Sequence, residues 1–225
     1  MDDSKWERWG GLGGILFVVL IAVSAFLPGS PPKTSDSATK IATFVNDNRD
    51  GIRWASFVGA LGTIALFWFL GSVWRVLRRA EGGSPRLAVM AVLGAAFAAT
   101  MAAVGGIVLS AVGIVGVNGA GGPTGTRFFY IMATNIGAGT VVGIAVFVGA
   151  FSAVILRTGV FPRFLGWIGA LIALVAVLAS ASTASTRDEY MVLGFITFVA
   201  FMLWLLVISI MIVRGSASER AASAA

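Results

Sequence analysis

Apolar residues fill long unbroken runs of this chain, and short clusters rich in charge, glycine and proline separate the runs. A helix needs about 20 such residues to cross the roughly 30 Å hydrocarbon core of a bilayer. Six runs are long enough, over about 9–27, 52–74, 87–109, 129–156, 164–181 and 190–213. The pattern predicts an all-α fold: a polytopic membrane helix bundle of six transmembrane helices. They form a single domain over 1–214, followed by a Ser- and Ala-rich disordered tail over 215–225.

The connections carry their own signals. Pro28-Gly29-Ser30-Pro31-Pro32 stops the first run. A secretory signal is the competing reading there, with Val23-Ser24-Ala25 as its small-residue cleavage site. Against it, the run is long, and the preceding residues mix Asp2, Asp3 and Glu7 with Lys5 and Arg8. Ser35-Asp36-Ser37 then offers a cap to a short amphipathic helix in the first external loop. Ala38, Ile41, Phe44 and Val45 share one face of it, while Lys40, Asn46, Asp47 and Arg49 fall elsewhere. Such a helix lies either in the membrane interface or on top of the bundle. Glu81-Gly82-Gly83-Ser84-Pro85 reads as a turn, with Pro85 in the first turn of the next helix. The Gly-rich segment 113–125, with Asn118 and Pro123, reads as a flexible second external loop, and 183–189 as a short polar link.

Composition sharpens the class. Hydrophobic residues make up 58% of the 225 and charged residues 12%, whereas soluble domains average about 45–50% and 25%. The net charge of +6 follows from topology rather than from nucleic-acid binding, since no phosphate-binding face is present. Under the six-span reading Lys5, Arg8, Arg75, Arg78, Arg79, Arg86, Arg157, Arg163, Arg214 and Arg220 lie inside. Lys33, Lys40, Arg49, Arg53, Arg127 and Arg187 lie outside, mixed with acids. The positive-inside rule then puts both termini in the cytoplasm of a bacterial plasma membrane. The lipid bilayer is the expected partner, and a membrane-protein partner or a second copy of the chain stays open.

Histidine and cysteine are both absent. That removes disulfides, thiolate nucleophiles, His or Cys metal sites and bis-histidine haem, so neither metal nor cofactor is expected.

One stretch is distinctive: Leu156-Arg157-Thr158-Gly159-Val160-Phe161-Pro162-Arg163-Phe164-Leu165-Gly166-Trp167-Ile168-Gly169. Together with the six-span plan and the polar segment after the first helix, it resembles the bacterial membrane proteins grouped as domain of unknown function 4386 and their actinobacterial relatives. The resemblance implies a six-helix inner-membrane protein and supplies no activity, substrate or catalytic residues. Read physically, Pro162 resists continuation of the fourth span, Gly159 permits the reversal, and Arg157 and Arg163 anchor both helix ends at the headgroups. Gly166, Gly169, Ala170 and Ala173 then offer the fifth helix to a close neighbour.

Candidate chemistry is sparse. No span has an ionisable residue in its middle, as proton-coupled transport or acid–base catalysis would want, so no catalytic residue is assigned. Tyr130 and Tyr190 fall at outer helix ends, where aromatic anchors belong. Serines and threonines are scattered, and most are expected to bond their own preceding turn. Asn135 stands out, with Thr134 and Thr140 beside it. Its bland role is an interhelical hydrogen bond, and its functional role a polar pocket open to the outside. Three functions remain. A non-enzymatic accessory, scaffold or stress-related membrane component comes first. A small transporter or channel for a small polar solute or lipid follows, and last an intramembrane or lipid-modifying enzyme. The lack of an internal repeat counts against transport.

Overall fold

The computed structural model describes residues 3–183 and 188–215; the expected tail over 216–225 and Arg187 lie outside the described residues. Seven α-helices follow one another: α1 Asp3–Phe26, α2 Ala38–Asp47, α3 Arg49–Glu81, α4 Arg86–Gly119, α5 Gly122–Thr158, α6 Arg163–Ala179 and α7 Asp188–Val213. A 3-10 turn, Ser180–Thr183, extends α6, and the described residues contain no strand. Five helices are long and apolar enough to cross a membrane: α1 from Trp9 onward, α3, α4, α5, and α7 from Val192 onward. The 17 residues of α6 form a shorter apolar helix.

Sequence neighbours are also neighbours in space. Contacts run α1–α3, α3–α4, α4–α5, α5–α6, α6–α7 and back to α1, closing a ring of six, while α2 rests on α4 and α5. Apolar side chains gain little by hiding from lipid, so what holds the ring is close van der Waals fit at small residues. A Cβ added at Gly143 would sit 2.5 Å from Ala98 N and 2.6 Å from Gly94 O. One added at Gly94 would meet Phe147 N at 2.6 Å, and one at Gly105 would meet Ala133 O at 2.9 Å. The α4 and α5 backbones are therefore nearly in contact over three helical turns. On the other side of α5, Gly166 packs on Leu156, Gly169 on Ser152, and Ala173 on Gly149, as the small-residue spacing of α6 anticipates. The Gly10-Gly11-Leu12-Gly13-Gly14 run does the same for α1: Gly10 faces Ser72, and Gly14 faces Phe69 and Ser209.

Aromatic rings fill the cytoplasmic half of the interior. Phe147, Phe151, Phe201 and Trp204 meet edge to face at centroid distances of 5.1–6.3 Å. The α5–α6 hairpin contributes to this core as well as turning the chain. Gly159 caps α5 at φ +70°, and the turn drives Val160 and Phe161 inward, Phe161 packing 5.7 Å from Phe151. Trp204 Nε1 donates to the Leu165 carbonyl at 2.9 Å, locking α7 to the start of α6.

Two expectations need correction at helix ends. The supposed loop over 113–125 is helical on both sides of a tight reversal: α4 runs on to Gly119 and α5 begins at Gly122. Left-handed Gly121 and Gly122, at φ +86° and +76°, make the turn. Glycine's low helix propensity is overridden here by tertiary contacts. At the other end, Pro85 sits at the cap position of α4, and the capping is done by Glu81. Its two carboxylate oxygens accept from Leu87 N and Ala88 N, each at 3.0 Å.

The α4–α5 contact yields a paired prediction. Gly143→Ala should lower the thermal midpoint in detergent, consistent with an overpacking loss of about 1–3 kcal/mol. Gly137→Ala, whose Cβ would meet nothing within 4 Å, should leave the midpoint unchanged or raise it. Equal melting of the two variants would show that the helices do not touch as described.

Candidate functional site

Sequence reasoning places a polar pocket at Thr134, Asn135 and Thr140, and the structure does not bring them together. Helical residues turn by about 100° each, so the three point to different sides of α5. Thr134 Oγ1 donates back to Tyr130 O at 2.9 Å, Thr140 Oγ1 is buried with no hydrogen-bond partner, and Asn135 is exposed on the outer surface of the helix. Asn135 makes no interhelical hydrogen bond among the described residues, so the bland reading of it is corrected too.

Polar chemistry gathers instead above the bundle, around α2. Ser37 caps α2 by accepting from Lys40 N at 3.3 Å. Just before it, Asp36 takes the Lys33 backbone N–H and the Lys40 ammonium, each at 2.9 Å. The Lys40 hydrogen bond, helped by the Lys33 backbone and both lysine charges, holds the Asp36 carboxyl below its ordinary range. Its contribution to order is present above that range and fades as pH falls through the lowered value.

The apolar face of α2 answers the question of where the helix lies. Ile41 and Val45 are fully buried, in a second core with Ile52, Val112, Ala120 and Tyr130. The helix is on the bundle. Phe44 meets the Tyr130 ring edge to face at 6.5 Å, and the Tyr130 hydroxyl donates to Pro32 O at 2.7 Å. Tyr130 is thus a buried pin for the external loop rather than a headgroup anchor; the Tyr190 side chain lies outside the described residues.

Arg49 completes the arrangement. Gly116, at φ +73° and ψ +174°, breaks α4 and disrupts the helical bonding by which Val117 and Asn118 would serve the Gly113 and Ile114 carbonyls. The Arg49 guanidinium takes their place, Nε on Gly113 O at 3.0 Å and one terminal nitrogen on Ile114 O at 3.2 Å. A cation at the negative end of a helix is favourable, and the last turn of α4 is held out as a wall. Between that wall and the polar face of α2 lies a cleft of about 430 Å³, presenting Thr39, Thr43, Asn46, Asp47, Arg49 and Asn118. A neighbouring cavity of about 480 Å³ shares Asn46, Asp47 and Arg49 and adds Asn48, Asp50 and Arg53. Both volumes lie in the range of small-molecule sites. The sequence signal for the cleft was the Thr39, Thr43, Asn46 spacing opposite the apolar stripe; nothing in sequence pairs it with residues 113–118.

A third cavity, about 360 Å³ between α1, α3 and α4, is apolar. Its hydroxyls are already engaged: Ser24 with Ala55 O at 2.9 Å, Ser56 with Gly106 O at 3.0 Å, and Thr63 with Gly59 O at 3.1 Å. Among the described residues, no group of three or more acids could hold a metal ion.

Two lesions should loosen the cap with the bundle intact. Burying Ile41 contributes roughly 1.5–3 kcal/mol, so Ile41→Asp with Phe44→Asp should speed hydrogen exchange over 38–48 and expose it to added protease. Arg49→Met removes charge-assisted bonds of about 1.5 kcal/mol and should speed exchange at 113–119. Wild-type exchange in both variants would refute the cap. No family model, curated protein or solved structure matches the chain.

Proposed function

We propose that this is a non-enzymatic, six-span protein of the bacterial cytoplasmic membrane, an accessory or scaffold component that acts through its outer cap. One observation carries the reading: the interior between the helices is packed and dry, while the polar clefts open at the surface. The buried polar residues among those described are Ser72, Thr126, Ser152, Thr197 and Ser209. Thr126, Thr197 and Ser209 bond the turn before them. None forms a path along which a solute could exchange its hydration shell.

The count of six rests on α6. Its 17 α-helical residues span about 25 Å and its four-residue 3-10 extension about 8 Å more, close to the hydrocarbon thickness. Both ends of the α5–α6 hairpin carry exposed arginines, Arg157 and Arg163, and the 75–86 connection is equally basic, which supports a cytoplasmic placement of both. The hairpin sequence also supports membership of the domain of unknown function 4386 group.

Topology and function are tested separately. In a chain with no native cysteine, single cysteines at Ser84 and Thr158 should resist an impermeant thiol reagent in intact cells, and those at Ser35 and Thr124 should react. The reverse pattern would overturn the orientation. For function, a deletion strain should be complemented by Asn135→Leu with Thr140→Val and not by Thr43→Trp with Asn46→Trp, which fills the cleft. The opposite result would move the activity to the polar residues of α5 and favour transport.

A further inference from the structure

At the cytoplasmic end of α3, far from the cap, Gly71, Trp74, Arg75, Arg78, Arg79 and Gly82 line a cavity of about 560 Å³. Their spacing of three and four residues puts them on one continuous face of the helix. Glycine stands at both ends of that face, and a Cβ added at Gly71 or Gly82 would meet nothing within 4 Å. The face is therefore notched where a side chain would otherwise lie. The nearest acid in sequence, Glu81, is turned to the start of α4 and occupied there by Leu87 N and Ala88 N.

The same face continues toward the middle of the membrane as an apolar stripe. Ile64, Phe67 and Trp68 are each more than half exposed, at 67%, 53% and 54%, one and two turns before Gly71. Along one helix face the order is thus exposed apolar rings, a bare glycine, an indole, then three guanidiniums at the level of the basic α5–α6 turn. Charge and polarity run in the order of a lipid molecule standing in the inner leaflet.

We infer that this notch holds an anionic glycerophospholipid of the cytoplasmic leaflet, its phosphodiester among Arg75, Arg78 and Arg79, its glycerol at Gly71 and an acyl chain along Ile64 and Phe67. Guanidinium suits a phosphodiester because it can present two parallel N–H donors to it. Trp74 belongs at the headgroup level, where an indole has one apolar and one wet side. Gly71 is what separates this from the general attraction of basic loops for anionic membranes. A larger residue there would fill the glycerol position and leave every charge in place.

Full-length protein in a neutral detergent tests the idea, with bound lipid read by native mass spectrometry during titration with phosphatidylglycerol or phosphatidylcholine. Phosphatidylglycerol should bind the wild type and phosphatidylcholine should not compete. Each arginine near the surface contributes about fivefold, so Arg78→Gln with Arg79→Gln should weaken binding roughly 25-fold. Both positions are exposed, so the fold should persist, and an unchanged thermal midpoint without lipid checks this. Gly71→Leu should also weaken binding with all three arginines intact. Equal binding of the two lipids, or wild-type binding by Gly71→Leu, overturns the proposal. So does full competition by inorganic phosphate or glycerol phosphate, which would reveal a site for a free anion.

Discussion

The near contact of the α4 and α5 backbones is the constraint from which the rest of the architecture follows. In a bilayer the hydrophobic effect brings helices into the membrane but does little to bring them together. Glycine at 94, 105 and 143 lets each backbone lie against the other, which increases the dispersion contacts per turn. α5 then touches α3, α6 and α7 as well, so the pair forms one side of the ring and reaches across it. The same two helices rise past the expected loop to Gly119 and Gly122. That extension is the platform on which α2 docks.

Much of this was legible in the sequence, and the boundary of legibility has physical causes. Apolar runs near 20 residues identify spans because lipid imposes that length, and the α5–α6 turn announced itself through Gly159 and Pro162. The apolar stripe of α2 was readable as well, but not its destination, since Ile41 and Val45 are buried by residues 60 to 90 positions away. Arg49 was invisible. Its role depends on two carbonyls, 64 and 65 residues further on, that become available only because Gly116 leaves the helical region. The glycines of 113–125 misled for the same reason: propensity favours a loop, and Arg49 with α2 supplies the contacts that outweigh it.

Depth sorts the chemistry. Ordered from outside to inside, the chain presents a polar cleft held by Arg49, an apolar layer where hydroxyls are already bonded to carbonyls, and a notch of arginines. Burying an unpaired polar group in hydrocarbon costs several kcal/mol. The layered arrangement avoids that cost, and a continuous aqueous path would not.

Asn135 shows why a search for polar residues in the spans finds so little here. Several serines sit where helices meet, yet they fit by shape: Ser72 against Gly10, Ser152 against Gly169, Ser209 against Gly14. Ser209 donates to Leu205 O on its own helix at 2.7 Å, and Ser152 Oγ finds no partner at all. Register between these helices is therefore set by a small bump meeting a glycine, with hydrogen bonding secondary. A polar residue free of that steric task can face outward at little penalty when it lies near the headgroups. Asn135 is such a residue: α4 packs on α5 so that Gly105 lies over Ala133 and Gly137, and Gly106, one residue on, receives the Ser56 hydroxyl only one turn below the outward-facing Arg53. Its exposure on α5 follows from depth and helical phase, and neither requires a pocket.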